Sequence, residues 1–242
     1  MLKITDMSLK IKNNFIFKNI TITVHNSDIH ILLGPSGCGK TSLLRIIAGF
    51  EKPFSGTVSI DDKIVSDTSH ILQPNVRNIA MIFQNLALWP HMTVEKHLAF
   101  MLDNRSGNNK KAMKMKVQHY LQQMHLLGYE KRYPQELSGG QKQRLAIARA
   151  LAAEAKYLLM DEPFTNLDEF LRNEMIQTVK KLRDAKEITI LYVTHTLEEA
   201  CLLADNVTFM LPGENAGTTM SGDKLRAMKK HDIITMFTPE TL

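Results

Sequence analysis

The sequence predicts an α/β protein: a mainly parallel sheet, an antiparallel β flank near the N-terminus and a helical subdomain inserted in the middle. Three observations predict it. Short apolar runs at 29–33, 79–83, 157–160 and 188–193 read as strands buried on both faces, the mark of a parallel sheet. Residues from about 90 to 136 change to a helical pattern. The octapeptide GPSGCGKT at 34–41 sits directly behind the first apolar run and ahead of a helix predicted from Thr41 to Ala48.

The elements follow in order. Residues 1–33 open with short alternating segments (Ile20, Ile22, Val24) that suggest the antiparallel flank, and the run Ile29-His30-Ile31-Leu32-Leu33 ends them as a buried strand. GPSGCGKT matches the G-x-x-x-x-G-K-[ST] phosphate-binding loop in the strand-loop-helix setting its mechanism requires. Gly34, Gly37 and Gly39 bring backbone N–H groups against phosphate oxygens. Lys40 supplies a mobile charge for the β- and γ-phosphates, and the Thr41 hydroxyl can ligate Mg²⁺. The nucleotide-binding set from this loop is Gly34, Pro35, Ser36, Gly37, Cys38, Gly39, Lys40, Thr41 and Ser42, with Lys40 also assigned to catalysis. The core is therefore that of a phosphate-loop NTPase.

A β segment at 56–60 comes next, then the strand Ile79-Ala80-Met81-Ile82-Phe83, which ends in Gln84. The Gln84 amide can reach the metal or its water. The helical subdomain is drawn at about 90–145, with a polar loop at 103–109. In the basic run at 110–116 and beyond it, Met113, Val117, Leu121 and Met124 recur at helical spacing. The lysines there read as the solvated side of an amphipathic helix. Nucleic acid and anionic lipid are the lesser alternatives.

LSGGQKQR at 137–144 precedes an Ala- and Leu-rich helix former. Ser138, Gly139 and Gly140 open that helix, whose free N–H groups and dipole make a second anion site. One nucleotide has no evident need of both helix starts from one chain, so the second is read as completing the pocket of a neighbouring copy.

The strand Tyr157-Leu158-Leu159-Met160 ends in Asp161 and Glu162, where open α/β sheets place their ligands. Asp161 fits the carboxylate that holds Mg²⁺, directly or through water, and Glu162 the group that polarises the attacking water. The strand 188–193 ends in Thr194-His195. After Leu211 and Pro212 a loop at 213–217 leads to one further helix, around 224–237, within a short helical tail drawn at about 218–242.

The ordered set GPSGCGKT, FQ at 83–84, LSGGQKQR, LLMDEP, TNLD at 165–168 and VTH at 193–195 resembles the ATP-binding subunit of an ABC transporter, from about residue 2 to residue 211. That resemblance implies ATP and Mg²⁺ as cofactors. It makes Ser138, Gly139, Gly140 and Gln141 the signature that meets a partner's ATP. Glu162 becomes the catalytic glutamate and Asp161 the metal-binding aspartate, beside Thr41 and Gln84. Asn166 to Asp168 become the D-loop, with Asp168 in nucleotide contact, and His195 the switch histidine. The implied partners are a second ATP-binding subunit, transmembrane permease subunits and an extracytoplasmic solute-binding protein, at the cytoplasmic face of the cell membrane. Nucleic acid is not among them.

FQNLALWPHMTVEKHLAF at 83–100 is similar to import subunits for sugars, polyamines, ferric iron, thiamine and oxyanions. A soluble ABC ATPase acting on a protein or nucleoprotein assembly is the alternative. The family commonly stacks an aromatic residue on adenine about two dozen positions before the phosphate loop. Here that position is Ile11, with Phe15 or Phe17 as substitutes if the loop is shifted. Weak hold on the base and poor discrimination of ATP from GTP follow.

Composition agrees: 242 residues, 44% hydrophobic, 23% charged and a net charge of +5 suit one globular domain, taken as 1–242 without an added C-terminal regulatory domain. No run approaches 18 apolar residues, which argues against a membrane span. The first residues lack the apolar core of a signal peptide. Two cysteines, Cys38 and Cys201, offer no disulfide framework.

Overall fold

The computed structural model describes residues 1–106, 110–165, 167–186, 188–213 and 217–235. The N-terminal flank is a sheet of four antiparallel strands in the order β2-β1-β4-β5: β1 Leu2–Ile11, β2 Asn14–Val24, β4 Ser55–Ile60 and β5 Lys63–Ser66. The second sheet has six strands: β3 Ile29–Leu33, β6 Ile79–Ile82, β7 Tyr157–Asp161, β8 Thr189–Thr194, β9 Asn206–Phe209 and β10 Thr218–Ser221, ordered β10-β9-β3-β8-β7-β6. All are parallel except β10, which pairs antiparallel at the edge.

The apolar runs earn their burial from both sides. Along β3, β7 and β8, alternate residues point to opposite faces of the sheet. Ile29, Ile31, Leu158, Met160, Ile190 and Tyr192 pack into one core with the helical layer. Leu32, Leu159, Leu191 and Val193 pack into another, with helix α1 (Lys40–Ala48) and the antiparallel flank. The helical layer is built from α2 (Val94–Ser106), α3 (Lys110–Gln123), α4 (Gly139–Ala152), α5 (Glu169–Lys186) and α6 (Leu197–Leu203). Helix α3 buries Val117, Tyr120 and Leu121 and turns Lys110, Lys111 and Lys114 outward, as its spacing requires.

Strand order positions the site. β3, β8, β7 and β6 are consecutive neighbours running the same way, with Leu33 opposite Thr194, Asp161 opposite Val193 and Ile82 opposite Met160. Their C-terminal ends therefore deliver Gly34, His195, Glu162 and Gln84 to one edge.

Two expectations need correction. The polar stretch from 103 is not a loop throughout, because α2 runs to Ser106; residues 107–109 lie outside the described residues. The tail is not one helix: β10 occupies 218–221, followed by α7 (Gly222–Ala227) and α8 (Lys230–Thr235). Met228 has extended backbone and ends α7, while Ser221 caps its start by accepting from the Lys224 N–H at 3.3 Å. The tail residues from 236 onward lie outside the described residues.

Candidate functional site

The phosphate loop wraps the start of α1. Gly39 caps the helix at φ +97°, and a Cβ there would meet Ile16 and Phe17 side chains at 2.7 Å, so glycine is required on both counts. Lys40 is 4% exposed and folds back on the loop, donating from Nζ to the carbonyls of Gly34 and Pro35, both at 2.8 Å. Cys38 Sγ lies 3.8 Å from the same ammonium, and burial raises the thiol's pKa.

A cavity of about 310 Å³ opens over the loop, lined by Ser36, Gly37, Gly39, Lys40, Thr41 and Ser42 together with Ile11, Ile16, Gln84 and Glu162. Ile11 thus stands in the cavity with the phosphate-loop residues. Phe15 is not among the lining residues; it packs edge-on against Phe54 at 5.3 Å, with Lys18 over its face at 4.4 Å. Phe17 is fully buried. An adjoining cavity of about 500 Å³ shares Thr41 and Gln84 and adds Asp161 and Arg45.

Thr41 Oγ1 donates to Asp161 Oδ1 at 2.9 Å. Burial pushes the Asp161 carboxyl above its ordinary pKa; Glu162 adds to this, while the Thr41 hydroxyl, Lys40 and Arg45 oppose it. A hydroxyl and a single carboxylate, with the Gln84 amide in the same cavity, are hard oxygen donors of the kind Mg²⁺ takes when phosphates complete its shell. No cluster of three metal-binding side chains occurs among the described residues. The residues fit the metal.

Glu162 sits at φ +44°, its N–H donating to Val193 O at 3.1 Å, so the turn after β7 is anchored to β8. Its Oε2 lies 3.1 Å from His195 Nδ1. Behind His195, Glu199 is 4% exposed and accepts from Tyr192 Oη at 2.8 Å and Thr194 Oγ1 at 2.7 Å.

The structure does not bring every candidate into these cavities. Ser138, Gly139, Gly140 and Gln141 stand at the start of α4, where Ser138 Oγ accepts from the Gln141 N–H at 3.3 Å and Gln141 Oε1 from the Ser138 N–H at 2.9 Å. Asp168 caps α5, its Oδ1 accepting from Leu171 N–H at 2.9 Å. Asn166 lies outside the described residues. Sequence reasoning missed Ile16, Arg45 and Glu199. Ile16 lies between Phe15 and Phe17 where the β1–β2 register shifts, so its side chain reaches Gly39 together with Phe17, which simple strand alternation does not foretell.

Comparison with known proteins adds to this geometry. The family model described as ABC transporter matches residues 17–165. The chain is 43% identical over 213 residues to the Fe(3+) ions import ATP-binding protein FbpC of Fusobacterium nucleatum, covering 88% of this chain and 56% of that one. It is 42% identical over 213 residues to the spermidine/putrescine import ATP-binding protein PotA of Acetivibrio thermocellus, covering 88% and 59%. To the sulfate/thiosulfate import ATP-binding protein CysA of Vibrio vulnificus it is 45% identical over 199 residues, covering 81% and 56%. The chain thus spans a little over half the length of these relatives. Among solved structures, the dimeric bacterial ABC transporter cassette MJ0796 superimposes with a TM-score of 0.82 at 27% identity, covering 94% of this chain and all of that one. The same cassette has been solved as a dimer in a post-hydrolysis state bound to ADP and Pi (TM-score 0.81, 27% identity, covering 94% and 100%).

Proposed function

Because this chain belongs to the ABC transporter family, we propose that it binds and hydrolyses ATP to power import of a small solute through separate membrane permease subunits. The observation that carries the reading is the set of groups gathered at one sheet edge: the Thr41 hydroxyl on Asp161 and the His195 ring on Glu162, in cavities that meet at Thr41 and Gln84.

Lys40 exchanges the Gly34 and Pro35 carbonyls for phosphate oxygens, gaining a charge-assisted contact in place of two neutral ones. Thr41, Asp161 and Gln84 would hold Mg²⁺, which when bound would neutralise phosphate charge. Glu162 orients and polarises the attacking water, and His195 keeps the Glu162 carboxylate aimed into the site. Ile11 and Ile16 cover the base with aliphatic surface.

Ser138 and Gly139 are exposed at the α4 start and, with the half-buried Gln141 and the buried Gly140 behind them, serve the nucleotide of a second copy, with Asp168 capping the neighbouring helix α5. Dimeric cassettes of the same fold support that arrangement. No helix among the described residues is long and apolar enough to cross a membrane. On this reading the permease subunits are separate chains, a solute-binding protein works outside, and this subunit is peripheral at the cytoplasmic face. The three relatives are named for ferric ions, polyamines and sulfate at 42–45% identity, which supports cargo selection by those other chains.

The test is Mg²⁺-dependent ATP hydrolysis by the purified chain, alone and with the permease encoded beside it. A chain that neither hydrolyses ATP nor stimulates uptake with that permease refutes the reading.

A further inference from the structure

Helix α4 starts at the Ser138 cap and, through two buried side chains, grips both loops that carry Gln84 and Glu162. Gln143 is 7% exposed, and its Nε2 donates to the carbonyl of Pro163, the residue after Glu162, at 2.5 Å. Arg149, also 7% exposed, donates from Nη2 to Leu86 O at 2.8 Å and from Nη1 to Ala87 O. Those carbonyls come two and three residues after Gln84. The guanidinium lies over the Trp89 ring, 5.0 Å from its centroid, which fixes the fork in place.

At both grips the loop is in left-handed backbone: Glu162 at φ +44°, Leu86 at +60° and Ala87 at +43°. None is glycine, so each is strained and persists only where its surroundings impose it. The surroundings here include the side chains of α4, beside the Glu162 N–H bond to Val193 O. The amide of Gln143 is half-satisfied, since Oε1 has no partner among the described residues. Leucine would fill that volume and remove the unpartnered Oε1, but it would leave the Pro163 carbonyl without its donor, so what the amide adds beyond packing is its hold on that loop. At the other end, α4 is pressed so closely on α5 that a Cβ on Gly140 would come within 2.2 Å of the Leu171 side chain.

We propose that Gln143 and Arg149 are positioning residues: they make α4 a strut through which nucleotide seated at Ser138 sets the Glu162 and Gln84 loops of the same chain. From Ser138 to Arg149 the helix spans about 16 Å at 1.5 Å per residue, and its grips move with it as one body. The proposal rests on the ATP-hydrolysis reading above and adds a route by which two sites in a dimer sense each other.

The experiment compares the purified full chain with Gln143→Leu and Arg149→Lys, measuring ATP affinity, kcat, the Hill coefficient and the melting temperature. Gln143→Leu is expected to melt somewhat lower than wild type because the Pro163 carbonyl loses its donor, to bind ATP within about twofold, to lose about tenfold or more in kcat, and to bring a Hill coefficient above one down to one. Arg149→Lys keeps the charge but not the fork and falls between. Wild-type kcat and cooperativity in Gln143→Leu overturn the proposal, as does a kcat loss matched by an equal loss of ATP affinity. A wild-type chain without ATPase activity overturns the hydrolysis reading instead. If Gln143→Leu does not fold, hydrogen exchange of wild type and Ser138→Arg with a non-hydrolysable ATP analogue decides. Protection at 85–88 and 162–165 should weaken in Ser138→Arg, and equal protection overturns the proposal.

Discussion

His195 Nδ1 lies 3.1 Å from Glu162 Oε2, joining the loops that follow two neighbouring parallel strands. The contact exists because Glu162, at φ +44°, turns back to donate its N–H to Val193 O, which aims its carboxylate toward the residue two places beyond. Glu162→Gln keeps this shape and removes the base. The variant should bind ATP, turn over at least about a hundredfold more slowly, and accumulate as a dimer, seen as a doubling of mass by light scattering with ATP and Mg²⁺. Normal turnover in Glu162→Gln would remove Glu162 from the chemistry.

Lys40→Ala deletes a charge-assisted phosphate contact of about 1.5–3 kcal/mol, a tenfold to hundredfold fall in ATP affinity by the usual ~1.4 kcal/mol per decade. Hydrolysis should vanish. The substitution also strips the Gly34 and Pro35 carbonyls of their donor, so the nucleotide-free protein should melt lower. Isothermal titration and melting curves read the two effects separately; intact affinity would contradict the assignment.

Asp161 is buried with its carboxyl pKa raised, chiefly by desolvation. A carboxyl whose folded pKa lies above its unfolded one binds its proton more tightly when folded. Its contribution therefore favours the fold at low pH and is lost as pH rises through the folded value. At neutral pH the bare charge is a burden on the nucleotide-free state. Asp161→Asn should thus raise the melting temperature without nucleotide, by roughly 2–4 °C per kcal/mol relieved in a chain of this size. It should also abolish the extra stabilisation that Mg²⁺-ATP gives wild type. A lower melting temperature at neutral pH would show that the Thr41 contact outweighs the desolvation.

Ile11 lines the loop cavity with no aromatic ring beside it among the lining residues. Ile11→Tyr adds a π-face worth about 0.5–1.5 kcal/mol, so ATP should bind up to about tenfold tighter, with GTP gaining similarly. Phe15→Ala should leave ATP affinity unchanged while losing its edge-on packing against Phe54. Weaker ATP binding in Phe15→Ala, with no gain in Ile11→Tyr, would make Phe15 the stacking residue.

What the sequence determined by itself was local chemistry with a local backbone cause. GPSGCGKT needs its glycines within one turn, the largely apolar runs need cover on both faces, and Asp161-Glu162 follow directly on the last residues of such a run. From these the phosphate loop, the parallel sheet and the sheet edge bearing the candidate site were legible. The alternation of Ile20, Ile22 and Val24 likewise foretold the antiparallel flank. Tertiary structure decided what depends on distant partners. Strand order, not spacing, sets β8 between β3 and β7, and so sets His195 beside Glu162. Ile16 enters the cavity because the flank folds over the phosphate loop, and Glu199 meets Tyr192 and Thr194 because α6 turns back on its own strand. The grips of Gln143 and Arg149 join residues 20 and more than 60 positions apart. In the tail, β10 forms only because β9 offers an open edge, a backbone pairing that leaves little mark on the four residues Thr218–Ser221.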